Sequence, residues 1–166
     1  LTDNGFDSDG TFGAPRVNIL GSQILNTGGS GGSAVYVTNL FNPGRVSVVN
    51  TVIDETSWHA IYAKNAELFV DNSIIRHSCG AGVYAEDNSI VQVVDSTFES
   101  NDIGIQGSAA SAGAVLNLTA NCNTISANPP GNGIVLAAPS PPNGGVVRAY
   151  LIANRITVAA GGTGGD

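Results

Sequence analysis

The chain has 166 residues, of which 11% are charged, with a net charge of −7 and a single lysine, Lys64. That length suits one domain with its own core, and the acidic balance makes nucleic acid and anionic membrane surfaces poor partners. Twenty-two glycines and many Asn, Ser and Thr stand where charges usually would, and no stretch carries a helical period, so turns rather than helices are expected at the surface.

Residues 1–13, LTDNGFDSDGTFG, read as a polar lead-in. Asp3, Asp7 and Asp9 with Gly10 resemble part of a calcium loop, in which carboxylates alternate and a glycine makes the sharp turn. The bidentate Glu of such a loop does not follow, so a solvated, turn-rich segment without a cofactor is preferred and calcium is the alternative. A single β domain is expected over residues 14–158. Its first coil covers residues 14–44, with Val17, Ile19, Ile24, Val35 and Val37 facing inward and GGSGGS, residues 28–33, as a flexible insertion.

Residues 45–107 repeat about every 22 positions: RVSVVNTVIDETSWHAIYAKNA, then ELFVDNSIIRHSCGAGVYAEDNS, then IVQVVDSTFESNDIGIQG. Anchored on Ile53, Ile75 and Phe98, the rows align Val48 with Val70 and Val93, and Val46 with Leu68 and Val91. Ile61 likewise aligns with Val83 and Ile105, and Ala63 with Ala85 and Gly107. Each run alternates, so each reads as a short strand with one buried face. Asn, Asp, Ser, Thr and Gly break the runs, while the residue pairs of tight hairpins are missing. A period of this length points to a solenoid, in which one repeat buries its inner face only by stacking on the next. The expected fold is an all-β, right-handed parallel β-helix of about six coils, with about 22 residues per regular coil.

The fifth coil, residues 114–145, is swollen by loops around residues 128–132 and 138–145, with strands marked by Leu116, Leu118, Ile125, Ile134 and Leu136. A sixth begins VVRAYLIANRITV and stops short before a Gly-rich tail, residues 159–166. Such a tail is expected to be ordered only if a neighbouring subunit holds it. No apolar run is long enough to span a membrane, and no signal peptide is read. The start at Leu1 and the lack of methionine suggest a processed product or a fragment.

Rows such as VDNSIIRHSCGAGVYAED and VVDSTFESNDIGIQG resemble the degenerate repeat of right-handed parallel β-helix proteins of the pectate-lyase-like superfamily, over roughly residues 15–158. Asn50, Asn72 and Asp95 match the polar turn position that such proteins often stack into a ladder. That superfamily includes lyases, hydrolases, epimerases, phage tailspikes and adhesins, so the resemblance implies a scaffold and fixes no activity. A polysaccharide lyase would need an acidic calcium cluster beside an Arg or Lys base, whereas Asp71, Asp87 and Asp95 fall in different columns.

Three groups could carry chemistry. Asp54, Arg76 and Glu99 form an outward column of alternating sign, with the acids roughly 9.6 Å apart by strand geometry. That is near the spacing of an inverting glycosidase pair. Arg76 between them would hold both acids ionised, which favours a salt-bridge ladder over a general acid. Tyr36, Tyr62 and Tyr84, with Gln106 next, form an outward aromatic file suited to carbohydrate or to a subunit contact. His59 and His77 share no column and read as surface residues. Cys79 and Cys122 occupy different coil positions, too far apart for a disulfide, and read as small buried hydrophobes. Asn117-Leu118-Thr119 is a glycosylation sequon on an outward position.

Both coil ends expose strand edges without a capping helix. The leading functional expectation is therefore an extracellular or cell-surface structural module that self-associates end to end, as a fibre subunit or adhesin segment, without enzymatic activity. The alternative is a carbohydrate-binding or polysaccharide-degrading β-helix using the tyrosine file and the Asp54–Glu99 column.

Overall fold

The computed structural model describes residues 6–8, 16–27, 32–38, 44–138 and 144–158. A lone strand, β1 (Phe6–Ser8), comes first. Three complete three-stranded turns follow: β2 (Arg16–Leu20), β3 (Gln23–Leu25) and β4 (Val35–Thr38); β5 (Gly44–Val49), β6 (Val52–Thr56) and β7 (Ile61–Lys64); β8 (Ala66–Asp71), β9 (Ile74–Ser78) and β10 (Ala81–Glu86). In the next two turns the second and third strands merge, giving β11 (Ile90–Val94) with β12 (Thr97–Ser108), then β13 (Val115–Asn121) with β14 (Thr124–Ala137). Strands β15 (Val146–Ile152) and β16 (Arg155–Val158) begin a sixth turn.

Every pairing is parallel and joins a strand to its equivalent one turn away, so the chain is a parallel β-solenoid. One sheet runs β15-β13-β11-β8-β5-β2, and the second and third strands of the turns form the other. The expected columns are all present. Val46 stacks on Leu68, Val91 and Leu118, and Val48 stacks on Val70, Val93 and Ala120. Ile53 stacks on Ile75, Phe98 and Ile125, and Ile61 on Val83, Ile105 and Ile134. These residues form one continuous core and are almost wholly buried. Opposite the large column of Phe98 and Ile125 runs a glycine column, Gly82, Gly104 and Gly133. A Cβ on Gly104 would lie 2.4 Å from Ile125 Cγ2, so only glycine admits the larger side chains.

Each corner turns on one residue with positive φ. The first corner uses Gly21, Asn50, Asn72, Asp95, Cys122 and Ala153, and the second uses Asn26, Glu55, His77 and Ser100. Asn and Asp reach this left-handed region at low cost through local hydrogen bonding, which accounts for the polar breaks in the repeat.

The expected polar ladder lies mainly one residue later than Asn50, Asn72 and Asp95, and on the inside. Thr51 N–H donates to Ser73 Oγ (3.2 Å), Ser73 N–H to Ser96 Oγ (3.2 Å), Ser96 N–H to Asn123 Oδ1 (3.0 Å) and Asn123 N–H to Asn154 Oδ1 (3.0 Å). The four donors' residues are buried, and each hydroxyl also donates to the carbonyl two residues back, as Ser73 Oγ does to Asp71 O at 2.8 Å. The outer position contributes one bond, from Asn72 Nδ2 to Asn50 Oδ1 at 2.7 Å. A buried backbone donor without such a partner costs roughly 1–3 kcal/mol, so the ladder is what lets the chain turn sharply inside a dry core.

The expected loop around residues 128–132 is instead part of β14. Between the pairs Asn101↔Ala127 and Ile103↔Asn132, β14 advances five residues while β12 advances two, so the extra length is taken up as a bulge. Residues 28–31, 139–143 and the tail at 159–166 lie outside the described residues.

Candidate functional site

The strand register places Tyr36, Tyr62 and Tyr84 in one file, continued by Gln106. Tyr36 and Tyr62 are stacked with ring centroids 4.9 Å apart, and Tyr84 is tilted against Tyr62 at 5.5 Å. The file is half-buried rather than fully exposed. Phenol and carboxylate meet in a short hydrogen bond from Tyr62 Oη to Glu86 Oε2. Burial first, and then the Glu86 carboxylate, raise the Tyr62 and Tyr84 hydroxyls above the ordinary tyrosine value.

Beside the file lies an ionic network. Lys64 Nζ reaches Glu86 Oε1 at 3.0 Å and Asp87 Oδ2 at 3.2 Å, and the backbone N–H and Oγ of Ser111 both donate to Asp87 at 2.8 Å. Burial works to raise the Asp87 carboxyl, but Ser111 and Lys64 outweigh it and hold it below the usual carboxylate value. Sequence reading missed this network, although Lys64 and Glu86 stand 22 residues apart in one column.

His59 is a correction to the expected surface position, because only 8% of it is exposed. It packs against Tyr84 (centroids 4.7 Å), with Trp58 set edge-on at 4.9 Å, and its Nδ1 accepts the Ala81 N–H at 2.9 Å. Burial pushes its pKa down to about 4. A Cβ at Gly80 would sit 2.8 Å from His59 Nδ1, so the glycine after Cys79 is what admits the ring. Trp58 stays half exposed and extends the aromatic cluster to the surface.

Asp54, Arg76 and Glu99 do form the expected column. Arg76 binds Asp54 alone, with Nη2–Oδ2 at 2.8 Å and Nε–Oδ2 at 2.9 Å, and Glu99 is exposed. His77, exposed as expected, places Nδ1 2.7 Å from Asp54 Oδ1. Burial works to raise Asp54, but the hydrogen bonds from His77 and Arg76 and their charges prevail and keep it ionised below the usual value. A carboxylate held this way is a poor proton donor.

An open cleft of about 310 Å³ adjoins this pair, lined by Asn26, Glu55, Ser57, His77 and Cys79 among others. Both cysteines are free and exposed, a correction to the buried reading, because Cys79 follows the end of β9 and Cys122 occupies a positive-φ corner.

Of the calcium candidates, Asp3 and Asp9 lie outside the described residues. Asp7 belongs to β1, whose backbone register with β4 pairs it with Tyr36. Among the described residues no group of three His, Cys, Asp or Glu side chains could hold a metal ion. No helix of the described residues is long and apolar enough to cross a membrane.

The two ends of the solenoid differ from its middle. In the sixth turn Leu151 is 47% and Ile156 44% exposed, although they continue columns whose central members, Val93 and Phe98, are 0% exposed. At the opposite end Val17, Ile19 and Ile24 continue the core columns and are only partly buried.

Neither the curated proteins nor the solved structures yield a match to the chain. A family model described as a right-handed β-helix region matches residues 7–143, most of the solenoid described above. With stacked parallel turns of the same kind, the chain belongs to the right-handed β-helix family.

Proposed function

We propose that this β-helix is an extracellular, non-enzymatic structural module that assembles through its open ends, as a fibre subunit or a segment of a surface adhesin. The observation that carries this reading is the exposure of core-column residues, Leu151 and Ile156, beside the outer edges of β15 and β16. Such an edge is a template for pairing with another chain, and burying its apolar side chains contributes roughly 25 cal/mol per Å². The low charge of the chain as a whole and the ionised, arginine-bound state of Asp54 support a structural role over an acid–base one. Sedimentation velocity over a wide concentration range tests it. A series of growing oligomers is expected, and a single monomeric species at every concentration would end the proposal.

A second reading, binding or cleavage of a polysaccharide, is favoured by one observation: half-exposed Trp58 and the half-buried tyrosine file form one aromatic cluster beside the Lys64 and Glu86 charges. Titration with uronate and neutral polysaccharides, followed by tryptophan fluorescence, separates the two readings. Asp54→Asn and Glu99→Gln should abolish any cleavage if that column acts catalytically, and should leave it unchanged if the column is structural.

A further inference from the structure

We infer that Lys64 and Asp87 condense into an amide bond that ties the second turn of the solenoid covalently to the third, with Glu86 moving the protons. The bond lies within the middle of one chain and is independent of how the ends assemble. Lys64 closes β7 and pairs in register with Glu86, which closes β10 one turn away, and Asp87 follows at the corner. Successive residues of a strand point to opposite faces, and the positive φ of Asp87 (56°) is what lets both carboxyls reach one nitrogen. Lys64 Nζ stands 3.0 Å from Glu86 Oε1 and 3.2 Å from Asp87 Oδ2. No other lysine is present in the chain.

The surroundings are those an acyl transfer needs. The Asp87 side chain is 3% exposed, so water is largely kept from its carboxyl carbon. Ser111 donates its backbone N–H to Oδ1 and its hydroxyl to Oδ2, both at 2.8 Å, which polarises the carboxyl and would hold the oxyanion formed as Nζ attacks. Tyr62 Oη donates to Glu86 Oε2 and fixes that carboxyl with its other oxygen on Nζ. One observation opposes the step. Burial works to lower the Lys64 ammonium, but Glu86 and Asp87 outweigh it and hold it above its usual value, so the resting pair is ionised.

The reaction therefore starts with a proton passing from the ammonium to Asp87, which leaves a neutral amine and a neutral acid. Nζ then bonds to the Asp87 carboxyl carbon, and the carbonyl electron pair moves onto Oδ1. Glu86 takes a proton from Nζ and hands it to the Oδ2 hydroxyl, which leaves as water while the Oδ1 carbonyl reforms. One water is lost, Glu86 ends unchanged, and no oxidant or cofactor enters. Groups held in contact reach effective molarities of about 10⁵–10⁸ M, which offsets the cost of condensing in water. Because the ion pair must first be neutralised, the bond should form slowly after folding.

Intact mass spectrometry of the full chain, followed from synthesis onward, tests this. The mass should settle one water molecule below that of the sequence. Trypsin should then fail to cut after Lys64, so that residues 46–76 and 77–148 leave as one branched peptide whose fragments join Lys64 to Asp87. Lys64→Arg and Asp87→Ala should each keep the full mass, and Glu86→Gln should slow the loss of water about 100-fold or more. A parent chain that is folded by circular dichroism and keeps its full mass after prolonged incubation overturns the inference. So does a loss of water that persists in Lys64→Arg, which would mark a succinimide at Asp87, or one that persists in Asp87→Ala, which would place the bond on Glu86. The branched peptide of the parent chain decides even where a variant does not fold. None of these outcomes depends on protein concentration, so the end-assembly reading stands or falls separately.

Discussion

The third and sixth turns are built from the same kinds of residue, yet one is a core and the other a surface. Val70 in the third turn is 0% exposed, whereas Leu151, three turns further along the same column, is 47% exposed. The difference is not propensity, alternation or side-chain size. It is the presence of a neighbour on both sides. Burial in a solenoid is a property of the stack, so the free energy of each turn resides mostly in its interfaces.

The sharpest way to break that comparison is to cut the same column at both places. Phe98→Ala should destabilise the chain by about 3–5 kcal/mol, since the ring fills the space left by Gly82 and no neighbouring element can collapse into it. Ile156→Ala, in the same column but exposed, should cost less than about 1.5 kcal/mol in dilute solution. Urea unfolding of both variants checks this, and equal losses would mean that the end turn is already covered.

The inner ladder gives the next effect. Ser73→Ala leaves the buried Thr51 N–H without its acceptor and should cost about 1–3 kcal/mol, while Asn154→Ala, at the open end, should cost less because water can replace it. Thermal unfolding of the two variants in parallel measures the ratio.

A pH series sharpens the picture of the middle turns further. The pKa of His59 falls from 6.5 to about 4 on folding, so the unfolded chain binds the extra proton between those values. Stability is therefore full above about pH 6.5, declines as pH falls toward 4, and has lost this contribution below it, by about 1–2 kcal/mol after allowance for partial solvent access. Asp54 and Asp87 also have folded values lowered, so stability again falls with pH, but their contribution is lost only as pH falls below 3.8. His59→Gln should flatten the upper window and leave the lower one, as read by unfolding midpoints at each pH.

The smallest effect belongs to the surface column. Arg76→Ala should change stability by only about 0.2–1 kcal/mol, because the Arg76 side chain is well exposed to solvent. A loss several times larger would show that the Asp54, Arg76 and His77 group does more than brace two coils.

The repeat was legible because its period is nearly constant from residue 45 to 107: residues 22 or 23 apart share a column, and so the apolar columns, the tyrosine file and the Asp54–Arg76 contact could all be read from spacing. What spacing conceals is the corner. Cys122 follows an alternating strand and reads as buried, but it occupies the positive-φ corner and points outward. His59 lies between two strands where the count of residues gives no direction, and its burial depends on the missing side chain of Gly80. The polar ladder was expected at Asn50, Asn72 and Asp95 because amides there are conspicuous, whereas the continuous one runs through the plainer Thr51, Ser73 and Ser96.

Amide hydrogen exchange at the sixth turn addresses the central claim most directly, because it reads the cover on that turn rather than the size of the particle. In dilute solution the amides of Leu151 and Ile156 should exchange far faster than those of Val70 and Phe98, and their protection should climb with protein concentration until the two turns behave alike. Protection at the sixth turn that stays low at every concentration, while the middle turns remain protected, would contradict the account.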